Sequence, residues 1–170
     1  MTRKICVVTG SRADYGLLHP VILGISLDLE LELQLVVTGM HLSEEFGSTV
    51  AEIEADGFEI NYKVPTLANS DSPEGIAKSI ANGIEGCANA FAKLKPDLVV
   101  VLGDRFEIFA AASAALVSRL PIAHLHGGEV TAGAFDEAFR HSITKMSQLH
   151  FVAHEDYRSR VIQLSENPSH

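Results

Sequence analysis

Lys4-Ile5-Cys6-Val7-Val8-Thr9-Gly10-Ser11-Arg12-Ala13-Asp14-Tyr15-Gly16 is an apolar run of strand length that breaks at a glycine and passes into a segment with helical spacing, Leu18, Ile22 and Ile25. The motif recurs. Val36-Val37-Thr38-Gly39 and Val100-Val101-Leu102-Gly103 end in the same way, each an apolar run closed by glycine before polar residues. Working outward, the runs Lys4 to Thr9, Leu33 to Thr38, Phe58 to Val64, Asp97 to Leu102, Ile122 to Leu125 and Leu149 to Val152 read as six strands. Between them the apolar period shifts to that of a helix: Phe46, Val50 and Ile53, with Ser43 as cap; then Ile76, Ile80, Ile84, Cys87, Phe91 and Leu94. Ser72 and Pro73 suit a helix start, and Lys93, Lys95 and Pro96 suit its end. Further helices are expected over Glu107 to Ser118, Asp136 to Ser147 and Glu155 to Leu164. Strands alternating with helices predict an α/β fold, a parallel sheet with helices on both faces. The segment Pro65 to Pro73, rich in Asn, Ser, Asp and Pro, reads as a mobile loop.

The composition agrees. At 170 residues and 46% hydrophobic content the chain can fill one core, and that content excludes disorder. Thirteen Lys plus Arg against 22 Asp plus Glu give a net charge of −9, which argues against a nucleic-acid partner. Two isolated cysteines, Cys6 and Cys87, build neither a disulfide framework nor a metal site and fit a reducing, cytoplasmic setting. The start of the chain does not read as a signal peptide, and no run is long enough to span a bilayer. The turn-like stretch Glu166 to His170 stands where another strand is expected, as in a fragment.

In an open parallel sheet the chemistry sits beyond the carboxyl ends of the strands. Gly10, with Arg12 at a helix start, reads either as an anion site or as a turn with a solvated arginine; it lacks both the dinucleotide and the P-loop spacing. His41 follows the second strand, and an ordinary loop histidine is the simpler reading. Asp104, directly after the fourth strand, reads equally as a helix cap and as a catalytic carboxylate. In His124-Leu125-His126-Gly127-Gly128-Glu129, strand alternation puts both histidines on one face. No third metal ligand follows at a recognisable interval, and proton transfer suits the cluster equally. Asp136 and Glu137 then open a helix, with Arg140 and His141 one turn on. Acids, imidazoles and arginines without a nucleophilic Cys or a Ser elbow point to acid–base chemistry on a phosphorylated or nucleotide-linked substrate.

At these residues the chain resembles the UDP-N-acetylglucosamine 2-epimerase family, and most its hydrolysing bacterial branch. The resemblance rests on Thr9 to Gly16, Val37 to His41, Leu102 to Ile108, His124 to Glu129 and Arg140 to Met146. It implies a glycosyltransferase-B build of two Rossmann-like lobes, of which residues 1–170 would be the N-terminal lobe, with the second, nucleotide-binding lobe absent. It also implies a reaction: loss of the C-2 proton, elimination of UDP to a 2-acetamidoglucal, and addition of water to give N-acetylmannosamine for sialic acid synthesis. Asp104 and Asp136 match acidic positions that the family uses in catalysis, and Arg12 its UDP-contacting arginine. His126 stands where many members carry a catalytic Glu, so the acid–base role lies with His126 or Glu129. Substrate contacts are expected at Gly10, Arg12, Tyr15, His41, Arg105, Arg140 and His141. The partner is then a UDP-sugar, with no cofactor, metal, nucleic acid or membrane, in a homo-oligomer whose isolated lobe is inactive. UDP-2,4-diacetamido-trideoxyhexose is the alternative substrate and a glycosyltransferase a further enzyme reading. A receiver or ligand-binding module is the alternative of another class, but a receiver needs paired acids where Gly10-Ser11-Arg12 stand.

Overall fold

The computed structural model describes residues 2–43, 49–68, 71–131 and 135–170. Strand β1 (Arg3–Thr9) leads into α1 (Arg12–Leu27), β2 (Leu31–Thr38), a 3-10 turn (Gly39–Leu42), α2 (Val50–Ala55) and β3 (Tyr62–Val64). The second half adds α3 (Pro73–Leu94), β4 (Leu98–Leu102), α4 (Phe106–Val117), β5 (Ile122–Leu125), α5 (Asp136–Met146), β6 (Leu149–Phe151) and α6 (Glu155–Gln163). All pairings are parallel, in the order β3-β2-β1-β4-β5-β6. That is the Rossmann-like order, with its topological switch between β1 and β4.

Alternation along the strands sorts the core into two layers. Cys6, Val8, Val36, Val99 and Val101 face one way, onto Phe91 of α3, Ile108 of α4 and Ile143 of α5. Ile5, Val7, Leu35, Val37 and Val100 face the other, onto Leu18 and Ile22 of α1 and Ile53 of α2. Leu18 and Ile22 are wholly buried, and each such side chain contributes about 1.5–3 kcal/mol. Helices cover both faces, as the apolar strands require. The start of α3 is as read: the Ser72 hydroxyl accepts from Gly75 N–H at 3.2 Å, and Pro73 opens the helix. Its last turn ends in Lys95 at φ +50.

Two expectations are corrected. The third strand spans only Tyr62–Val64, because Asn61 uses its side-chain oxygen to accept from Leu35 N–H at 2.6 Å. Phe58 and Ile60 upstream pack instead against the α1 layer. Ser43 does not cap α2; it closes the 3-10 turn, and α2 begins after Thr49. Gly39 opens that turn at φ +58, where a Cβ would lie 2.8 Å from the Gly10 carbonyl oxygen. Phe46, read as part of this helix, lies outside the described residues, as do residues 69–70 of the expected loop. The start of that loop is pinned: Thr66 is buried, its hydroxyl accepting from Gly39 N–H at 3.2 Å.

Candidate active site

Parallel strands bring every βα turn to the same rim. Four of these turns form two linked groups on either side of the switch point.

The first group lies beyond β1 and β2. Ser11 caps α1, and the buried Asp14 carboxylate accepts from Gly10 N–H at 2.9 Å, Ser11 N–H at 2.7 Å, the Ser11 hydroxyl at 2.6 Å and Tyr15 N–H at 3.0 Å. The amide donors of this turn, which a bound anion would need, are therefore satisfied by the protein's own carboxylate. Asp14 was missed in the reading of the sequence, although Ser11-x-x-Asp14 has capping-box spacing. Arg12 remains exposed beside the turn, its Nε 3.1 Å from Glu52. Tyr15 is buried and donates to Asp56 at 2.7 Å, a bond that with burial raises its pKa. His41 is wholly buried, its ring between the Thr9 hydroxyl at 3.0 Å and the Thr49 hydroxyl at 2.6 Å. Burial lowers its pKa, so it stays neutral. Tyr15 and His41 thus brace the rim from below.

The second group lies beyond β4 and β5. Gly103 turns the chain at φ +82, and Asp104 follows. Asp104 is not a cap, for Arg105 occupies that position without a side-chain cap bond. Instead Asp104 pairs with Arg140, which reaches back from α5 with its side chain almost wholly shielded. The same guanidinium donates to the His126 carbonyl at 2.8 Å and the Thr131 hydroxyl at 3.1 Å, and lies 3.8 Å from Glu129. Arg140 is the hub that ties the β4 turn to the β5 turn. Expected among the substrate contacts, Arg140 has its side chain almost wholly shielded among these partners.

His124 and His126 do not share a face. β5 ends at Leu125, so alternation stops before His126, which adopts φ +63. His124 is wholly buried, with Nε2 donating to the Gly103 carbonyl at 2.8 Å and Nδ1 3.1 Å from the Thr144 hydroxyl. Burial pushes its pKa down to about 4, which makes it a neutral structural group. His126 holds its Nδ1 2.5 Å from Glu129, with both side chains about one-third exposed. A carboxylate only accepts, so Nδ1 donates to Glu129, and in the neutral ring the lone pair is then on Nε2. Left-handed backbone is strained for histidine, and such strain concentrates at functional sites.

Asp136, at the first position of α5, completes the group. Its pKa is raised by partial burial and then by the charge of Asp104, while Arg105 and Arg140 act in the opposite sense. A carboxyl inclined to hold its proton thus stands near one that Arg140 keeps paired, a division that suits an acid and an anchor. His141, one turn on, lies 3.5 Å from Glu137. Arg105 bridges the two groups, from Glu107 to the Met40 sulfur at 3.5 Å. Among the described residues no three His, Cys, Asp or Glu side chains are arranged to hold a metal ion, and no helix is long and apolar enough to cross a membrane.

The family model for UDP-N-acetylglucosamine 2-epimerase matches residues 25–170, nearly the whole of this architecture. The chain belongs to that family. Among curated relatives, the GDP/UDP-N,N'-diacetylbacillosamine 2-epimerase (hydrolyzing) of Campylobacter jejuni is 48% identical over 96% of the chain and 42% of its own length. The UDP-N,N'-diacetylbacillosamine 2-epimerase (hydrolyzing) of Legionella pneumophila is 45% identical over 98% of the chain and 44% of its length. Polysialic acid biosynthesis protein P7 of Escherichia coli is 43% identical over 98% of the chain and 42% of its length. A crystal structure of UDP-N-acetylglucosamine 2-epimerase superposes on 98% of the chain and 46% of its own with a TM-score of 0.88 at 19% identity, a likeness of fold. The chain thus spans less than half the length of the relatives it matches.

Proposed function

We propose that residues 1–170 form the N-terminal lobe of a two-lobed, hydrolysing nucleotide-sugar 2-epimerase. The observation that carries this reading is the His126–Glu129 dyad on strained backbone, joined through Arg140 to Asp104 with Asp136 alongside. The substrate is a UDP-linked 2-acetamido sugar. His126 Nε2, oriented by Glu129, takes the C-2 proton; the C-1–oxygen bond then breaks and its electron pair leaves with UDP, giving a 2-acetamidoglucal. Water adds at C-1, a solvent-derived proton reaches C-2 from the opposite face, and His126 gives the proton it took to solvent, releasing the free epimer and restoring the enzyme. Asp136 supplies and recovers the proton at the leaving oxygen or the water, and Asp104, held by Arg140, orients the sugar. Direct substrate contact is assigned to Arg12, Arg105 and His141, while Gly10, whose N–H is taken by Asp14, and Tyr15, His41 and Arg140 act beneath them.

Two sugars fit this chemistry. UDP-N-acetylglucosamine would give N-acetylmannosamine, and the polysialic acid name of the E. coli relative accords with it. UDP-2,4-diacetamido-trideoxyhexose is favoured by the names of the two relatives at 48% and 45% identity. Release of UDP from each, assayed with the complete two-lobed enzyme, decides between them. The expected result is a kcat/KM at least about tenfold higher for the diacetamido sugar, the scale on which a pocket separates substrates by small groups. A preference for UDP-N-acetylglucosamine would reverse the choice, and turnover of neither would overturn the reading.

A further inference from the structure

The acid–base chemistry above makes no use of one buried carboxylate at the switch point. Glu107, second residue of α4, has a side chain with 0% exposure, and among the described residues its ionic partner is Arg105. The contact is two-pronged: Nη2 to Oε1 at 3.2 Å and Nε to Oε2 at 3.3 Å. A fully desolvated carboxylate is costly even at a helix N-terminus, and glutamine would fill the same space without a charge. The surroundings are nevertheless shaped for it. A Cβ on Gly39 would lie 2.9 Å from Glu107 Oε1, and one on Gly10 would lie 3.5 Å from Glu107 Cβ. The ends of β1 and β2 therefore close over this side chain.

Arg105 is different in kind. Its side chain is 40% exposed and lines a cleft of about 230 Å³ with Asp71, Ile76, Phe106, Phe135 and Asp136. Burial opposes its charge, but Glu107, Asp14 and Asp136 more than offset this, so the guanidinium stays cationic. Nε and Nη2 are held by Glu107, and Nη2 also lies 3.5 Å from the Met40 sulfur, so among the described residues Nη1 is the nitrogen of the fork left without a partner, in a side chain that lines the cleft with the proposed acid.

We propose that Glu107 is a positioning residue, whose buried carboxylate sets the Arg105 guanidinium as a preformed hook for the phosphates of the nucleotide. The inference rests on the nucleotide-sugar reading of the site and adds to it a residue that never touches substrate. A planar fork prearranged for a phosphate binds better than one that must be ordered on binding.

The test is a double-mutant cycle on the dissociation constant for UDP, measured by titration of the complete enzyme, with melting temperature recorded for every variant. Glu107→Gln is expected to weaken UDP binding about tenfold, and Arg105→Ala by at least as much. In the double variant the loss should equal that of Arg105→Ala alone, because Glu107 acts through Arg105. A merely structural glutamate would give losses that multiply, or a fall in melting temperature without a change in UDP affinity, and either result overturns the proposal. Arg105→Lys covers the case in which Glu107→Gln does not fold: it keeps the charge but not the fork, and undiminished UDP affinity in it would also overturn the proposal. Failure of the parent enzyme to bind UDP would instead overturn the nucleotide-sugar reading itself.

Discussion

Replacing His126 with glycine is expected to remove turnover while leaving the protein as stable as the parent or more so. The side chain is the proposed base, and loss of a general base typically costs about 100- to 10,000-fold in rate. The backbone at φ +63 pulls the other way, because glycine adopts this conformation without the strain of an L side chain, roughly 1 kcal/mol or more. Rate and melting temperature should therefore move in opposite directions. Kinetics beside a thermal melt check this; a His126→Gly enzyme that keeps near-normal turnover removes His126 from the chemistry, and one that unfolds gives the residue a structural role instead.

The second large effect is expected at Arg140, through a different cause. Arg140→Met leaves the Asp104 carboxylate largely buried, with 16% of its side chain exposed, and without its partner. Breaking a buried pair from one side costs about 3–5 kcal/mol, which for a domain of this size lowers the melting temperature by on the order of 10 °C. It also frees the His126 carbonyl and the Glu129 carboxylate that Arg140 holds. Adding Asp104→Leu to Arg140→Met should restore most of the stability, since no charge is then stranded, and none of the activity. Recovery of both would mean that the pair serves only to hold the fold. No loss of stability in the single variant would mean that Asp104 reaches water or another partner.

How much of this was legible beforehand follows from the range of the forces involved. The α3 helix could be read from end to end because its signals are local: Ser72 accepts from an amide three residues away, Pro73 sits where no donor is needed, and the Ile76 to Leu94 spacing repeats every turn. The strand ends and their shared rim were legible for the same reason, since apolar runs closing in glycine repeat along the chain. What escaped was set in part by partners distant in sequence and in part by local turns. Arg140 reads as a substrate contact, because nothing near it announces a carboxylate 36 residues earlier. Pairing His126 with His124 carries strand alternation one residue past Leu125, where the backbone turns. The turn after β1 reads either as an anion site or as a plain turn, and Asp14, three residues on from Ser11, takes the Gly10 and Ser11 amides. Asn61 shortened β3 by putting a side chain where a ladder carbonyl was expected.

In the proposed function, this rim serves to exchange the proton at carbon 2 of a nucleotide-linked acetamido sugar. Turnover of the complete enzyme in heavy water, with the released sugar analysed by mass spectrometry and proton NMR, tests it most directly. One solvent deuterium at carbon 2 of the epimerised product, lost together with turnover in His126→Gly, is the predicted result. Release of UDP with the original hydrogen retained at carbon 2 would contradict it, because the sugar would then have been hydrolysed without the proton transfer proposed for the His126–Glu129 dyad.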